Sequence, residues 1–371
     1  MAKTAGYIKT GQPMTFLHII TGLPVAGAEV FLLRVVKEGA KRGHSHRIIN
    51  LGSETRLARD IAVHADILNL DIRKSPLRGA LNFFRWGLKW RKGATIISGW
   101  MYYGSILTLL IGVGTKAQKL GHIRHTPILL ENESWRIKAT IWILKYVARN
   151  FSSITYNSIQ AQDWHENFGI LAPHSRVIDN GYPETDISVL EKEYDVCSPF
   201  TIGAASRNHP MKNQLGILRA FARLLEKDPT IKLVLVGRGT EKLAKTSEFL
   251  TVSSQVSLYG EVNNMTEFFD SLNLFVSFSS WGESFQNVVA EAMARGVPAL
   301  ATDIGAAQKI VIDDTCLLPI GDEEAFVVQV LRLRALSRDK IAWTSYRKRC
   351  HKKIMQDFSI PRAYDNLLFG D

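Results

Sequence analysis

The chain has 371 residues, 46% hydrophobic and 22% charged, which is typical of a soluble globular protein and long enough for two domains. No run of about 18 uninterrupted apolar residues occurs, so the sequence predicts no membrane-spanning helix. The three cysteines are scattered without metal-ligand spacing, which indicates a reducing compartment and argues against a disulfide framework.

Charge is distributed unevenly between the two halves. Residues 1–180 hold 24 Lys and Arg against 11 Asp and Glu, a net +13, whereas residues 181–371 hold 22 against 24, a net −2. A basic half joined to a neutral half indicates that the first half meets an anionic partner. Nucleic acid, anionic lipid and a phosphorylated acceptor all satisfy that requirement.

The first half begins with a predicted buried strand at residues 15–20, a turn at 21–27 and a helix from Ala28 to near Gly43. A strand, a glycine-containing loop and a helix form the phosphate-facing start of a Rossmann-like domain. Further strands are predicted at 46–51, 66–70 and 94–98.

Residues 76–92 interleave aromatic and cationic side chains, as helices that lie in a membrane interface do. The alternative is a helix that packs on the core and whose cations are simply solvated. The charge asymmetry favours contact with a membrane surface.

The second half alternates strands and helices in the same way. Strands are predicted at 200–205, 232–236, 256–259, 272–277 and 297–302, and each is followed by a polar or glycine-containing loop. Helices are predicted at 322–336 and 338–355. Loops at the carboxyl ends of parallel strands are where open α/β sheets bind ligands.

Two glutamates stand out in the stretch after the strand at 272–277. A helix is predicted from Ser284, and Glu283 and Glu291 would then lie on one side of it, about 12 Å apart along its axis. A carboxylate accepts hydrogen bonds from paired hydroxyls, which a sugar and a ribose both offer. The alternative is that both glutamates are ordinary solvated charges.

Glu283 and Glu291, with Ala-Met-Ala-Arg-Gly-Val-Pro at 292–298 and Thr-Asp-Ile-Gly at 302–305, resemble the donor-site signature of the retaining glycosyltransferases of family 4. That family has the α/β GT-B fold, in which two Rossmann-like domains with parallel sheets face each other across a cleft. The resemblance implies an acceptor-side domain at 1–182, with a C-terminal helix at 357–371 packing back on it, and a nucleotide-sugar domain at 183–356. The hinge is expected at 184–198.

The resemblance also implies a donor site. Glu283 would orient the transferred sugar and Glu291 the ribose, while Arg207 and Lys212 match the basic pair that holds the donor diphosphate. Arginine offers phosphate a bidentate fork and lysine a compact point charge. The remaining expected donor contacts are loop and helix-start positions: Gly27, Gly237, Gly260, Ser284, Phe285, Gln286 and Asn287.

Two segments of the first half resemble parts of the family that line the cleft. His125, in Ile-Arg-His at 123–125, corresponds to a histidine that reaches the donor sugar or the reaction centre, with His122 as the weaker alternative. A lone histidine is often structural, and that alternative stays open. The expected acceptor-side residues are Trp100, Tyr102, Tyr103 and Arg124.

The resemblance predicts transfer of a hexosyl unit with retention, from a nucleotide sugar and most simply a UDP-sugar, in surface polysaccharide synthesis such as that of lipopolysaccharide or O-antigen. The acceptor would be a polyprenyl-diphosphate-linked or other glycan at the inner face of an anionic membrane. The enzyme would be cytoplasmic or peripheral. No Asp-x-Asp occurs, so neither a metal nor another cofactor is expected.

Three other functions remain open. A nucleotide-sugar epimerase could use the same fold, and a nucleic-acid-binding protein would account for the basic half, although no nucleic-acid module is visible. The third is a catalytically silent partner subunit, against which the presence of all four charged donor-site residues argues.

Overall fold

The computed structural model describes residues 12–127, 130–190 and 199–368, and the chain forms two compact units. The first unit comprises Met1–Gly181 with Ile360–Asp371, and the second comprises Tyr182–Ser359. Residues 191–198 of the expected hinge, and Cys197 with them, lie outside the described residues.

The first unit is built on a seven-stranded parallel sheet with the order β3-β2-β1-β4-β5-β6-β7. The central strands of the sheet are almost fully buried, as expected of a sheet covered on both faces, and all seven strands are short. They are β1 (Thr15–Ile20), β2 (Ser45–Asn50), β3 (Asp66–Asn69), β4 (Ile96–Trp100), β5 (Gln118–Ile123), β6 (Ser153–Tyr156) and β7 (Ser175–Val177).

The helices of the first unit connect these strands. They are α1 (Gly27–Lys41), α2 (Arg56–Ala62), α3 (Pro76–Trp90), α4 (Met101–Gly112), α5 (Trp135–Val147) and α6 (Ile159–Phe168). Because parallel crossovers are right-handed and the strand order reverses between β1 and β4, α1 and α2 cover one face of the sheet and α3 to α6 the other.

The last helix of the chain, α14 (Ile360–Leu368), returns to the first unit. It packs against α1, and Ile360, Tyr364 and Leu367 join the apolar core on that face. Arg42 at the end of α1 pairs with Asp365 of α14 and also bonds Glu38 at 2.8 Å. The C-terminal segment thus completes the core of the N-terminal unit.

The second unit contains a six-stranded parallel sheet with the order β10-β9-β8-β11-β12-β13. Its strands are β8 (Thr201–Ala205), β9 (Lys232–Val236), β10 (Val256–Tyr259), β11 (Leu274–Ser277), β12 (Ala299–Thr302) and β13 (Leu317–Leu318). Its helices are α7 (Gln214–Leu225), α8 (Ser247–Leu250), α9 (Met265–Asp270), α10 (Asn287–Ala294), α11 (Ala307–Ile310), α12 (Glu323–Leu336) and α13 (Lys340–Asp357).

Each sheet has one point where the strand order reverses, between β1 and β4 in the first unit and between β8 and β11 in the second. Connections leave in opposite directions there, so a crevice opens outside the carboxyl ends of those strands, which is the usual ligand site of such sheets. Within the described ranges, no helix combines the length and apolar character that crossing a bilayer requires.

Candidate functional site

The reversal point of the second unit brings the predicted charged residues together. Arg207 and Lys212 follow β8, and Glu283 follows β11, so both loops leave the sheet on either side of the crevice. Lys212 Nζ and Glu283 Oε1 form an ion pair, with side chains 18% and 10% exposed. Arg207, on the same loop as Lys212, is exposed. The fold therefore brings a cation and a carboxylate that are 71 residues apart in the sequence into direct contact.

Glu283 has a second partner in Ser279, whose Oγ donates to Oε1 at 2.6 Å. Ser279 is buried, and its carbonyl accepts a 2.7 Å hydrogen bond from Thr302 Oγ1 at the end of β12. The carboxylate is thus held by a serine that is itself anchored to the sheet. Such preorganised groups can interact with a ligand without rearranging first.

The position of Lys212 depends on a tight turn. Pro210–Lys212 form one turn of 3-10 helix, and Asn213 follows with φ of 48°, in the left-handed region that asparagine tolerates better than most residues. Asn213 then caps α7 by accepting from the Gly216 N–H at 3.2 Å. This turn directs Lys212 toward the crevice instead of into α7.

The loop carrying Glu283 fits closely against its neighbours. Gly282 has φ of 79°, and a Cβ there would lie 2.4 Å from Met211 Sδ. Gly305 has φ of 66°, and a Cβ there would lie 2.5 Å from the carbonyl oxygens of Glu283 and Ser284. The Ala306 N–H also donates to Ser284 O at 2.9 Å. Glycine is required where two backbones approach this closely.

The predicted start of the helix after Glu283 is wrong. The structure begins α10 at Asn287, so Glu283 lies in the preceding loop and only Glu291 is helical. The expected alignment of both glutamates along one helix therefore does not occur. Glu291 is half-buried on the second turn of α10.

Three of the expected donor contacts, Phe285, Gln286 and Asn287, use their side chains internally. The Phe285 ring lies between those of Tyr182 and Phe358, with centroid distances of 6.4 and 5.5 Å. Gln286 Nε2 donates to Thr302 O at 3.0 Å, and Asn287 Oδ1 accepts from Tyr182 Oη at 2.9 Å. These side chains, together with buried Ser284, shape the loop, so direct recognition of a ligand by the side chains of 285–287 is not supported.

The glycines after β9 and β10 lie at the same sheet edge. The Gly237 N–H donates to Gly260 O at 2.9 Å, and Gly237 has φ of 132° with Ser206 O only 2.1 Å from where a Cβ would be. The Asn208 N–H donates to Arg238 O at 2.9 Å. Backbone contacts thus join the loops after β8, β9 and β10 beside Arg207.

The reversal point of the first unit has a comparable arrangement. Gly27 begins α1 just beyond β1, and Met101 begins α4 just beyond β4. Met101 has φ of 61°, a conformation that costs a non-glycine residue about 1 kcal/mol or more. This sharp turn separates Trp100, which is fully buried, from Tyr103, which is 39% exposed.

Trp100 does not face solvent, so the expectation that it contacts an acceptor is wrong. Its indole Nε1 donates to His18 Nδ1 at 3.3 Å, and its ring lies 4.6 Å from that of His122. His18 Nε2 lies 2.9 Å from His46 Nδ1, so the cluster extends across four strands, β2, β1, β4 and β5. Burial lowers the pKa of His46 to about 3 and the pKa values of His18 and His122 well below their usual range.

Tyr102 and Arg124 are also buried, which corrects their predicted acceptor role. Tyr102 Oη lies 2.8 Å from His165 Nε2, and His165 Nδ1 donates to Ala161 O at 2.6 Å. Arg124 Nη1 donates to Ile178 O at 2.6 Å, and burial lowers the pKa of Arg124 to about 9. Both residues fix the core of the first unit, which leaves Tyr103 as the exposed member of the expected acceptor set.

His125 follows β5 and has a carboxylate partner. Its Nε2 lies 2.8 Å from Glu133 Oε1, with side chains 36% and 19% exposed. A histidine whose ring is oriented by a carboxylate and still reaches solvent can act on a ligand. His122, the weaker alternative, is buried beside Trp100 and bonds Thr155 Oγ1 at 2.8 Å.

Ser279 and Glu133 belong to the site but were not predicted from the sequence. The pair Ser279-Ser280 at the end of an apolar strand is a weak signal for Ser279. Glu133 acts through a contact with His125 that no local pattern reveals. Gly305 belongs to the predicted signature at 302–305, but its close approach to the Glu283 loop appears in the structure alone. Among the side chains that the structure describes, no group of three or more His, Cys, Asp or Glu is arranged to hold a metal ion.

Family models match both units. Residues 25–185 match the model described as Glycosyltransferase Family 4, and residues 199–335 match the model described as Glycosyl transferases group 1. The first match begins after β1 and includes β2 to β7, and the second includes the loops that carry Lys212 and Glu283.

Curated relatives match shorter parts of the chain. An exopolysaccharide phosphotransferase of Streptomyces coelicolor is 29% identical over 52% of this chain and 20% of its own length. The capsular polysaccharide biosynthesis glycosyltransferase CapM of Staphylococcus aureus is 29% identical over 40% of this chain and 41% of its own length. The matched segments therefore span less than half of either relative.

Among solved structures, that of HepE from Anabaena in complex with UDP superposes with a TM-score of 0.76 at 18% identity, covering 95% of this chain and 98% of that one. At this identity the likeness concerns the fold. It confirms the predicted α/β GT-B class with two Rossmann-like domains.

Proposed function

The chain belongs to the group 1 glycosyltransferases of family 4, and on this premise we propose that it transfers a hexosyl unit from a nucleotide sugar to a glycan or lipid-linked acceptor. The observation that carries the proposal is the Lys212–Glu283 pair at the reversal point of the second sheet. This is the position where open α/β sheets bind nucleotides.

The donor would lie along the carboxyl edge of the second sheet. Arg207 and Lys212 would hold the diphosphate, Glu283 would accept hydrogen bonds from sugar hydroxyls, and Glu291 would do the same for the ribose. Gly237 and Gly260 present backbone next to Arg207, and that backbone would border the nucleotide. UDP is the expected nucleotide, and the UDP complex of HepE, a protein of the same fold, supports it.

The reaction would proceed with retention at the anomeric carbon. The acceptor oxygen forms a bond to that carbon on the face from which the diphosphate leaves, and the bonding electrons of the breaking C–O bond go to the β-phosphate oxygen. The acceptor proton passes to the same leaving phosphate. Arg207 and Lys212 would stabilise the negative charge that develops there. These two cations suffice for that task, so we propose that no metal takes part.

Glu283 would have two tasks in this scheme. It holds the Lys212 ammonium at the crevice before the donor arrives, and it offers a carboxylate to the sugar afterwards. Since Ser279 donates to Glu283 in the free protein, the carboxylate keeps one hydrogen bond when Lys212 turns to the diphosphate. Such a pair is preorganised for an anionic ligand, because the cation is already in place.

The first unit would bind the acceptor. Tyr103 is exposed at its reversal point, and His125 is partly exposed just after β5, so these two side chains would contact the acceptor or the reaction centre. The two relatives named for exopolysaccharide and capsular polysaccharide support a role in surface polysaccharide synthesis. We propose a polyprenyl-diphosphate-linked acceptor, and therefore a cytoplasmic enzyme at the inner membrane face that uses residues 76–92 for contact.

Release of nucleoside diphosphate from UDP-glucose, UDP-galactose and UDP-N-acetylglucosamine tests the proposal, with and without EDTA. The wild type should release UDP from at least one donor, and EDTA should not change the rate. Lys212→Ala should lower kcat/KM by about 100-fold or more, as expected for loss of a transition-state charge contact. Lys227→Ala is the matched control, because Lys227 is an exposed lysine beyond the other end of α7.

Two results would contradict the proposal. If no UDP-, GDP- or ADP-sugar is consumed with any polyprenyl-linked acceptor, the transferase function is wrong. If a donor is converted to its epimer without release of the nucleotide, the epimerase function replaces it. Anomeric proton couplings of the product, measured by NMR, decide between retention and inversion.

A further inference from the structure

Helix α3 presents an apolar stripe to solvent. Leu77, Leu81, Phe84 and Leu88 recur at helical spacing and are 84%, 72%, 44% and 43% exposed. A different side of the helix packs on the sheet through Phe83. Most surface helices bury their apolar stripe and expose their polar one. In α3, by contrast, the large apolar side chains of the stripe face water.

The two helices beside α3 repeat this feature. In α4, which contains no charged residue, Tyr103 and Leu110 are 39% and 48% exposed. In α5, Trp135, Trp142 and Tyr146 recur at helical spacing and are 73%, 46% and 65% exposed. Aromatic residues of this kind are enriched where an apolar phase meets water.

The three helices are neighbours on one face of the first sheet. Helix α4 packs against both α3 and α5. The α3–α4 approach is close, because a Cβ on Gly87 would lie 2.6 Å from Ile111 Cδ1. The exposed apolar side chains of α3, α4 and α5 therefore belong to a single surface, here called the α3–α5 face. Exposed apolar surface of this extent marks a binding site.

The charge of the first half is concentrated in the same stretch. Residues 72–150 contain 14 Lys and Arg and only two acidic residues, Glu131 and Glu133, a net +12 of the +13 carried by residues 1–180. On α3, Arg78, Arg85 and Lys89 lie along one flank of the exposed stripe. Long cationic side chains in that position can place their charge at phosphate level while their stems cover apolar surface.

We propose that the α3–α5 face binds the surface of an anionic bilayer, with the apolar stripes in the interface and the flanking cations on lipid phosphates. A second copy of the chain is a poor occupant, because two faces of the same strong positive charge repel each other. Nucleic acid would neutralise the cations but would leave the exposed leucines and tryptophans without an apolar partner. A bilayer surface satisfies both features.

One end of the α3–α5 face lies at the edge of the sheet where the acceptor site is proposed. In a parallel α/β unit each helix begins at the carboxyl edge of the sheet, so the first turns of α3, α4 and α5 lie at the edge that carries the reversal point. Leu77, Tyr103 and Trp135 are large exposed apolar or aromatic residues of those turns. This part rests on the proposed function: a lipid-linked acceptor could leave its chain in the bilayer beside α4 while its head group reaches that edge.

Co-sedimentation of the full chain with vesicles tests whether the α3–α5 face binds a bilayer, independently of the enzyme activity, since neither donor nor acceptor is needed. Vesicles of phosphatidylglycerol and phosphatidylethanolamine should bind the protein, and pure phosphatidylcholine vesicles should bind it far more weakly. The double change Leu81→Ser with Phe84→Ser should weaken binding by about tenfold or more, and Trp142→Ser should do so from α5. Arg85→Gln and Lys89→Gln should each weaken binding about fivefold, an effect that salt should reduce.

Ile341→Ser is the matched control, because Ile341 is 85% exposed on α13 in the second unit. It should bind anionic vesicles like the wild type. Unfolding midpoints of all variants should match the wild type, which separates lost contact from lost fold. If anionic vesicles do not bind, or if the α3 and α5 variants bind as well as Ile341→Ser, the proposal is overturned.

Two further outcomes would assign the face to another occupant. Dimerisation that the α3 and α5 changes abolish would assign it to a second copy. Tight binding of RNA or DNA, together with absence of vesicle binding, would assign it to nucleic acid. Vesicle binding is measured without turnover, so it is independent of the transferase activity. A chain that binds vesicles but releases no UDP would contradict the proposed transferase function and still support the proposed membrane contact.

Discussion

Lys212 and Glu283 are 71 residues apart in the sequence and form an ion pair at the carboxyl edge of the second sheet. Both side chains are largely shielded from water, which strengthens their attraction relative to an exposed pair. The pair connects the two loops on either side of the reversal point. We regard this ion pair as the centre of the proposed donor site.

Glu283→Gln keeps the shape of the side chain and its hydrogen bond with Ser279 but removes the charge. Lys212 then loses its partner, and the sugar loses a charged acceptor of hydrogen bonds. We expect kcat/KM for the UDP-sugar to fall by about 100-fold, with the fold retained. Steady-state UDP release measures this. An unchanged kcat/KM would show that Glu283 has only a structural role.

Gly305→Ala should perturb the Glu283 loop from a distance. The added methyl would meet the carbonyl oxygens of Glu283 and Ser284 at 2.5 Å, so the loop must shift. Gly321→Ala is a matched control, since Gly321 has φ of 74° but open space around it. Both changes should lower the free energy of unfolding by about 1–2 kcal/mol, because a residue with a Cβ is strained in the left-handed region. Only Gly305→Ala should also weaken donor binding, measured by calorimetry, and equal donor affinities would contradict this account of the loop.

Adjacent tyrosines in α4 should behave differently. Tyr102→Phe removes the 2.8 Å hydrogen bond to His165 and should lower the free energy of unfolding by about 1–2 kcal/mol, with little effect on the acceptor KM. Tyr103→Ala changes an exposed side chain and should leave stability nearly unchanged while raising the acceptor KM. Urea unfolding measures the change in stability, and initial rates measure the acceptor KM. A loss of stability in Tyr103→Ala together with a raised acceptor KM in Tyr102→Phe would contradict the placement of Tyr102 in the core and Tyr103 at the surface.

Stability of the first unit should fall with pH below about 6.5. Burial lowers the pKa of His46 to about 3, whereas in the unfolded chain a histidine titrates near 6.5. Between these values the unfolded chain binds a proton that the folded protein does not, so stability is present above pH 6.5 and is lost as pH falls. At pH 5.5 the loss from His46 alone is about 1.4 kcal/mol.

His18 and His122 add to this effect in the same direction, because burial also lowers the pKa of each. Urea unfolding at pH 7.5 and pH 5.5 measures the total. His46→Gln should reduce the difference between the two pH values, whereas His64→Gln should not, since His64 is exposed. Stability that is independent of pH in this range would mean that the cluster is charged or solvated.

Most strands could be predicted from the sequence because a buried parallel strand is a short, continuous apolar run. The predicted ranges for β1, β9 and β10 match the structure. The start of α10 could not be predicted, because Phe285 has the spacing of a helical core residue but packs against Tyr182 and Phe358. That contact involves residues far away in the sequence.

Parts of the site escaped prediction for a similar reason. Trp100 and Tyr103 are separated by two residues in one strand-to-helix turn, and the turn at Met101 decides which of them is buried. No periodicity reveals a residue with positive φ. The partner of Trp100 is His18, 82 residues earlier, so its burial depends on the assembled sheet.

The central claim is that the second unit binds a nucleotide sugar through Glu291 and the Lys212–Glu283 pair. Thermal unfolding with UDP, GDP and ADP, and with their common sugars, tests it on the wild type and on Glu291→Ala. A ligand present at 100 times its dissociation constant adds about 2.7 kcal/mol of stability, a shift of about 5 °C or more in Tm for a unit of this size. We predict that UDP and one UDP-sugar shift the wild type and that Glu291→Ala loses most of the shift. If no nucleotide shifts the wild type, or if Glu291→Ala responds like the wild type, the donor site assigned to this edge is wrong.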